Sequence, residues 1–313
     1  MFWFKNLQLY KFSGPFECAP EQLNERLVQH PFQPCGAHER GTRGWVHPFG
    51  LDTGVVHSLG DRSLIVLRRE DKDLPAAVVR RYAAERAEAI EAREGQAPGR
   101  RQRKEIEEQV ALELLPQAFT KLKHTRAYID AAGGWIGVEA ASRNAAADFL
   151  SILREHLGSL PVRPLSTRSL PGAVMTEWLR ASTEVSGFEI GGDCELRDAM
   201  TDGGAIKCKQ QDLFSDEVRQ HVQRGKEVKN LALSWRERLS FVLDEDLGLT
   251  RIKPLDLLLD DLGPEEFDDR VAAAEAEFAL MCGELAKMVP ELLEALGGEA
   301  EQGLVQSRSA AVA

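Results

Sequence analysis

The sequence predicts an α+β fold: a sheet-containing central domain, a helical hairpin that projects from it, and a second α+β domain toward the C-terminus. Three observations point there. Short β-branched or alternating segments cluster before residue 74 and around Gly133-Gly134, two charge-rich helical stretches flank Gly95-Gln96-Ala97-Pro98-Gly99, and two clean alternations near 229–243 precede a long helical pattern. The expected boundaries are 1–74 with 117–180 for the central domain, 75–116 for the hairpin, 181–300 for the C-terminal domain and 301–313 for a disordered tail.

Taken in order, residues 5–12, 63–68, 126–130 and 134–140 read as strands of one sheet, with Gly133-Gly134 turning the last pair as a hairpin. Asn24 to His30 reads as a short helix. Ser142 as N-cap and Gly158 as stop bracket a helix whose Ala146, Phe149, Leu150 and Leu153 share a face. In the hairpin, Val78, Val79, Tyr82 and Ile90 make a narrow apolar stripe that Ile106, Val110 and Leu114 resume after the break. Eight basic and seven acidic residues lie between Arg80 and Gln109, so two such helices are expected to stand in solvent.

After Gly158, Pro161 and Pro164 impose extended backbone and suggest a linker or edge segment. Lys229–Trp235 and Arg238–Leu243 read as paired strands, with Leu231, Leu233 and Trp235 on one face and Leu239, Phe241 and Leu243 on the facing arm. Residues 264–297 suit one long or broken helix, with Pro290 as a kink and Gly297-Gly298 as its stop.

The chain has 313 residues, 43% hydrophobic and 28% charged, which suffices for a sizeable core. Lys5 and Asn6 interrupt the apolar N-terminus too early for a signal-peptide core or a membrane span, so cytoplasmic residence and no membrane partner are expected. Cys18, Cys35, Cys194, Cys208 and Cys282 are scattered and form no CxxC, which suits a reducing compartment rather than a disulfide framework or a zinc ribbon. The net charge of −11 speaks against a polyanionic partner until its distribution is read. From Leu255 onward there are 14 acidic residues against Arg270, Lys287 and Arg308, so the preceding 254 residues are neutral and leave room for a basic surface.

The stretch Leu114–Arg126 delivers Phe119 past a helix-ending proline into Lys121, Lys123 and Arg126, a contact aromatic beside a surface suited to phosphate. The three basic residues are expected to share one strand face. Lys207 and Lys209 also alternate, and Lys226 and Lys229 follow Gly225 at a helix-to-strand turn. Ten basic residues between 201 and 253 accompany nine acidic ones, so ion pairing is the plainer reading of that region. Cys35-Gly36-Ala37-His38 with His47 and His57 lacks the spacing of a metal site, and Cys35 is expected to be buried. Asp244-Glu245-Asp246 with Lys253 could serve a Mg²⁺-dependent nuclease, but acids between two strands more often make a turn. No phosphate loop or dinucleotide motif is present; no cofactor and no metal are expected, and the chain reads as a non-enzyme.

Six ordered blocks resemble the RdgC family of recombination-associated proteins: Met1–Leu7, Leu114–Phe119, Leu157–Ser166, Thr176–Arg180, Asp202-Gly203-Gly204 with Lys207–Leu213, and Glu294–Glu299. The resemblance implies a nucleoid-associated DNA-binding protein that closes into a ring-shaped homodimer, holds duplex and single-stranded DNA without sequence preference, and restrains RecA-promoted recombination. It implies one subunit contact at the hairpin tips, matched by Phe119, and another at the C-terminal bases. Lys209-Gln210-Gln211 matches the base-side loop of ring closure and DNA contact, with Gln211 at the interface. The family often carries a second lysine where this chain has Gln210, which weakens the phosphate contact expected of that loop. The DNA-binding set is therefore Lys121, Lys123, Arg126, Lys207, Lys209, Gln210, Gln211, Lys226 and Lys229. A metal-dependent repair nuclease and an acidic scaffold that recruits partners through the C-terminal helix are the alternatives.

Overall fold

The computed structural model describes residues 2–51, 54–182, 185–198, 204–260 and 269–300. Among them the chain is mixed α+β. In chain order the elements are β1 Asn6–Phe12, α1 Pro20–Leu27, β2 Gly41–Val46, β3 Val56–Leu59, β4 Arg62–Asp73, α2 Ala76–Glu94, α3 Arg100–Leu114, β5 Phe119–Asp130, β6 Trp135–Val138, α4 Arg143–Leu157, β7 Val162–Pro164, α5 Pro171–Ala181, β8 Phe188–Asp198, β9 Ile206–Cys208, α6 Asp216–Gln223, β10 Lys226–Trp235, β11 Leu239–Asp244, β12 Leu249–Pro254, α7 Asp256–Asp260 and α8 Arg270–Ala295. Two compact units emerge, one from 1–19, 58–64 and 126–313, the other from 20–57 and 65–125.

The larger unit is built on an antiparallel sheet in the order β6-β1-β12-β11-β10-β8-β9, with the C-terminal half of β5 beside β6 and β7 beside β1. Interior to it is β1, where Leu7, Leu9, Tyr10 and Phe12 are buried on both faces, as a strand covered on both sides requires. The expected hairpin at Gly133-Gly134 is present: Ile129 pairs with Ile136 and Asp130 with Trp135, and Gly134 takes a φ of 71°. The expected pair β10/β11 is also present, with Leu231 opposite Leu243 and Leu233 opposite Phe241. Helix α4 starts and stops where its caps say, the Ser142 hydroxyl accepting from the Ala145 amide at 3.3 Å and Gly158 ending it at a φ of 77°.

Three carboxylates of helix α8 are committed within this unit. Glu284, 2% exposed, takes a 2.7 Å ion pair from Arg238 and a 3.2 Å one from Lys287. Glu291 accepts from the Trp235 indole at 2.8 Å and from Arg236 at 2.8 Å, and Glu277 accepts from the Phe2 amide. The beginning of the expected 264–297 helix and the expected disordered tail lie outside the described residues.

In the smaller unit β2 pairs with β4 and β4 with the N-terminal half of β5. Helix α1 lies earlier than the expected 24–30, because Pro20 opens it and Leu23 and Leu27, one turn apart, are its buried face. The antiparallel pair α2/α3 has a one-sided seam of Ala83, Ile106 and Val110, with Val79, Ala87, Ile90 and Leu114 packed against it. Tyr82 is not part of it; that ring is 41% exposed, and the small side chains of Ala83 and Ala87 let the helices approach instead. Ile106→Ala is expected to cost about 2–4 kcal/mol at this thin seam, visible as a lower melting temperature and faster amide exchange across α2 and α3.

Candidate nucleic-acid interface

The outer half of β5 is exposed from Phe119 to His124. A strand repeats every two residues, so Phe119, Lys121 and Lys123 share one face and Thr120, Leu122 and His124 the other. Phe119 is 86% exposed and Leu122 55%, which leaves a large apolar side chain in solvent on each face. Lys121 lies 2.8 Å from Asp73, both well exposed. Lys123 makes no ion pair with the described residues and is the uncommitted cation of this strand. On the opposite face the Arg68 guanidinium donates to His124 Nε2 at 2.9 Å and stacks 5.0 Å from the Phe32 ring centre. Glu70 accepts from the Cys35 amide at 2.7 Å, and that bond, with a second from Thr120, holds its carboxyl below the usual range.

Arg126 does not join the lysines. It is three residues beyond Lys123, an odd step, so it falls on the other face of β5. There its guanidinium forks onto Glu139 at 2.6 and 2.9 Å and donates to the Phe2 and Trp3 carbonyls at 2.7 and 3.2 Å. It also lies 4.5 and 5.0 Å from the ring centres of Phe2 and Phe4. Four hydrogen bonds from the fork are directed inward, and the residue ties the N-terminal strand entry to the sheet.

The second basic cluster lies in the larger unit, where β9 pairs with β8. Lys207 stands opposite Glu195 and reaches it at 3.2 Å, while Arg197 reaches the same carboxylate at 2.8 Å. Glu195 is pulled below its ordinary pKa first by Arg197 and then by Lys207. Lys209 is exposed and makes no ion pair with the described residues. Beyond it the chain turns with Gln210 at a φ of 51°. The Gln210 amide donates to Asp193 at 2.9 Å and the Gln211 amide to the Gly192 carbonyl at 3.0 Å. A side chain at position 192 would come within 3.1 Å of this loop's backbone, which explains glycine there.

Arg251, also at positive φ, pairs with Asp193 at 3.3 Å and lines the same cleft of about 240 Å³ as Lys207 and Lys209. Sequence reasoning passed over Arg197 and Arg251. The period-2 run Asp193, Glu195, Arg197 on one face of β8 was the available signal. Gly225, at a φ of 92°, makes the expected turn between α6 and β10. Lys226, however, donates to the Gly204 carbonyl at 3.0 Å, and Lys229 is held by Glu245 at 2.7 Å and Glu227 at 3.9 Å.

The acidic triplet forms the expected turn. Asp244 accepts from the Asp246 and Gly248 amides at 2.9 and 2.7 Å, with its carboxyl raised by burial. Glu245 engages Lys229, and Asp246 pairs with Arg143 at 3.3 Å. Cys35 is half-exposed rather than buried, because it sits in a surface turn where its thiol reaches the Glu39 carbonyl at 3.3 Å. Among the described residues no three His, Cys, Asp or Glu side chains are grouped to hold a metal ion, and no helix is long and apolar enough to cross a membrane.

A family model described as "Putative exonuclease, RdgC" matches residues 2–299. The chain is similar to "Recombination-associated protein RdgC" of Tolumonas auensis, 42% identical over 95% of this chain and 99% of the relative. The proteins of the same name from Aeromonas hydrophila, at 41% over 95% and 98%, and from Yersinia pestis, at 38% over 96% and 100%, are comparable.

Proposed function

The chain belongs to the RdgC family, and from that membership we propose that it is a recombination protein that binds DNA without sequence preference as a ring-shaped homodimer. The observation that carries the reading is the exposed half of β5, where an aromatic at 86% exposure shares a strand face with Lys121 and Lys123. Lys123 and Lys209 are free to neutralise phosphates outright. Lys121 holds an exposed partner, a pair worth only about 0–1 kcal/mol, so a phosphate can displace the Asp73 carboxylate; Lys207 shares Glu195 with Arg197, so that carboxylate keeps a partner when Lys207 turns to a phosphate. Contacts of this kind fix position on the backbone and read no bases, which serves duplex and single strands alike. Phe119 at one contact and Gln211 at the other close the ring, and DNA held within it is withheld from RecA. Nucleoid association follows from non-specific binding at cellular salt.

The double substitution Lys123→Ala with Lys209→Ala is expected to weaken DNA binding and to reduce the slope of log K against log salt by about 1.8, two phosphates at roughly 0.9 each. Titration of a fluorescent duplex across a salt series measures it. An unchanged slope would remove both lysines from the interface. The name of the matching family model also suggests exonuclease activity. Incubation of end-labelled linear DNA with the protein and Mg²⁺ or Mn²⁺ separates the two readings: intact ends are expected, and progressive loss of label would favour the enzyme.

A further inference from the structure

Beyond DNA binding, we propose that Cys194 and Cys208 form a reversible cross-strand disulfide that staples β9 to β8. The two residues are direct partners in the antiparallel register of these strands. Opposed residues in such a ladder have Cα atoms about 4.5–5.5 Å apart, inside the roughly 4.4–6.8 Å span of disulfides. Their thiols share a hydrogen bond, and both residues line the same solvent-reaching cleft as Lys207 and Lys209.

The two sulfurs are unlike in a way that assigns roles. Cys208 is half-exposed at the cleft, where a small oxidant can reach its sulfur. Cys194 is buried, and burial pushes its thiol up to about 12. Cys208 is therefore the attacking sulfur and Cys194 the resolving one. With a hydroperoxide as oxidant, the Cys208 thiolate takes the terminal oxygen as the O–O bond breaks, giving a sulfenic acid and releasing the alkoxide or hydroxide. The Cys194 sulfur then displaces that oxygen, which leaves as water with the Cys194 proton. A small dithiol reverses the reaction, restoring both thiols and leaving as its own disulfide. The staple pins the strand that carries Lys207 and leads into Lys209.

Treating the reduced full-length protein with hydrogen peroxide, followed by alkylation and peptide mapping, tests this. The expected product is a Cys194–Cys208 linked peptide, lighter by two hydrogens and reopened by dithiothreitol. Amide exchange in β9 should slow by roughly tenfold or more in the oxidised form. In Cys208→Ser, at the half-exposed position, Cys194 should remain an alkylatable thiol. In Cys194→Ser, Cys208 should accumulate as a sulfenic acid trapped by dimedone. Persistence of both thiols while Cys18 or Cys35 oxidises would overturn the proposal, as would oxidation of Cys194 at the wild-type rate in Cys208→Ser.

Discussion

Arg126→Ala is expected to lower folding stability by about 3–5 kcal/mol, the range for breaking a largely buried ion pair from one side. The substitution leaves the Glu139 carboxylate, 15% exposed, without its forked partner, and frees the Phe2 and Trp3 carbonyls and two aromatic faces. Arg126→Lys should recover only part of the loss, because an ammonium cannot reproduce the two parallel bonds to one carboxylate. Urea unfolding measures the change. DNA titration of the folded variant supplies the control: the salt slope should be that of the parent, whereas a drop of about 0.9 would make Arg126 a phosphate ligand after all.

Phe119→Ser is expected to leave the subunit's own stability nearly unchanged and to weaken self-association by about 2–4 kcal/mol, as for an aromatic hot spot. The 86% exposure of the ring within one subunit is the reason the two effects separate. In the proposed ring dimer, an aromatic used only at the subunit contact contributes nothing to the isolated fold and is counted twice in the assembly. Sedimentation across a concentration series should show the variant monomeric at concentrations where the parent, on the proposed reading, is dimeric. An identical mass distribution for the two would assign Phe119 elsewhere.

Much of this fold can be read where side-chain period and chain punctuation agree. Ser142 and Gly158 delimit α4, and alternation from Leu231 to Trp235 and from Leu239 to Leu243 fixes both arms of β10/β11 and their buried faces. The hairpin break is equally plain, since Gly95 at a φ of 70° caps α2 with its amide on Glu91. Legibility fails where partners decide. Whether Tyr82 or Ala83 fills a helix seam depends on how closely the helices approach, a property of the pair rather than of either stripe. The exposed half of β5 has both faces wet, so no apolar alternation marks it and the alternation of its lysines is the one cue to strand there.

The candidate site divides the same way. Charge clustering locates the right segments, but charge alone cannot tell Lys123 from Arg126. Parity along β5 does so, and the fork on Glu139 makes the distinction physical. Lys226 and Lys229 show the complementary loss, since the Gly204 carbonyl and Glu245 that occupy them are brought close by folding rather than by sequence neighbourhood. In the C-terminal helix, likewise, a charge count cannot show that Glu284 and Glu291 are held by Arg238, Lys287 and Arg236.

The loop at Lys209-Gln210-Gln211 is held through its own backbone amides: one donates to the Asp193 carboxylate and one to the Gly192 carbonyl, and the glycine's missing side chain makes the space. Shape and chemistry are consequently inherited separately there. The turn asks position 210 only for tolerance of a left-handed backbone and leaves its side chain unspecified. Exchanging amide for ammonium at that position would raise the loop's charge without redrawing its course, so grip on a polyanion can be adjusted in single steps while the scaffold beneath stays constant.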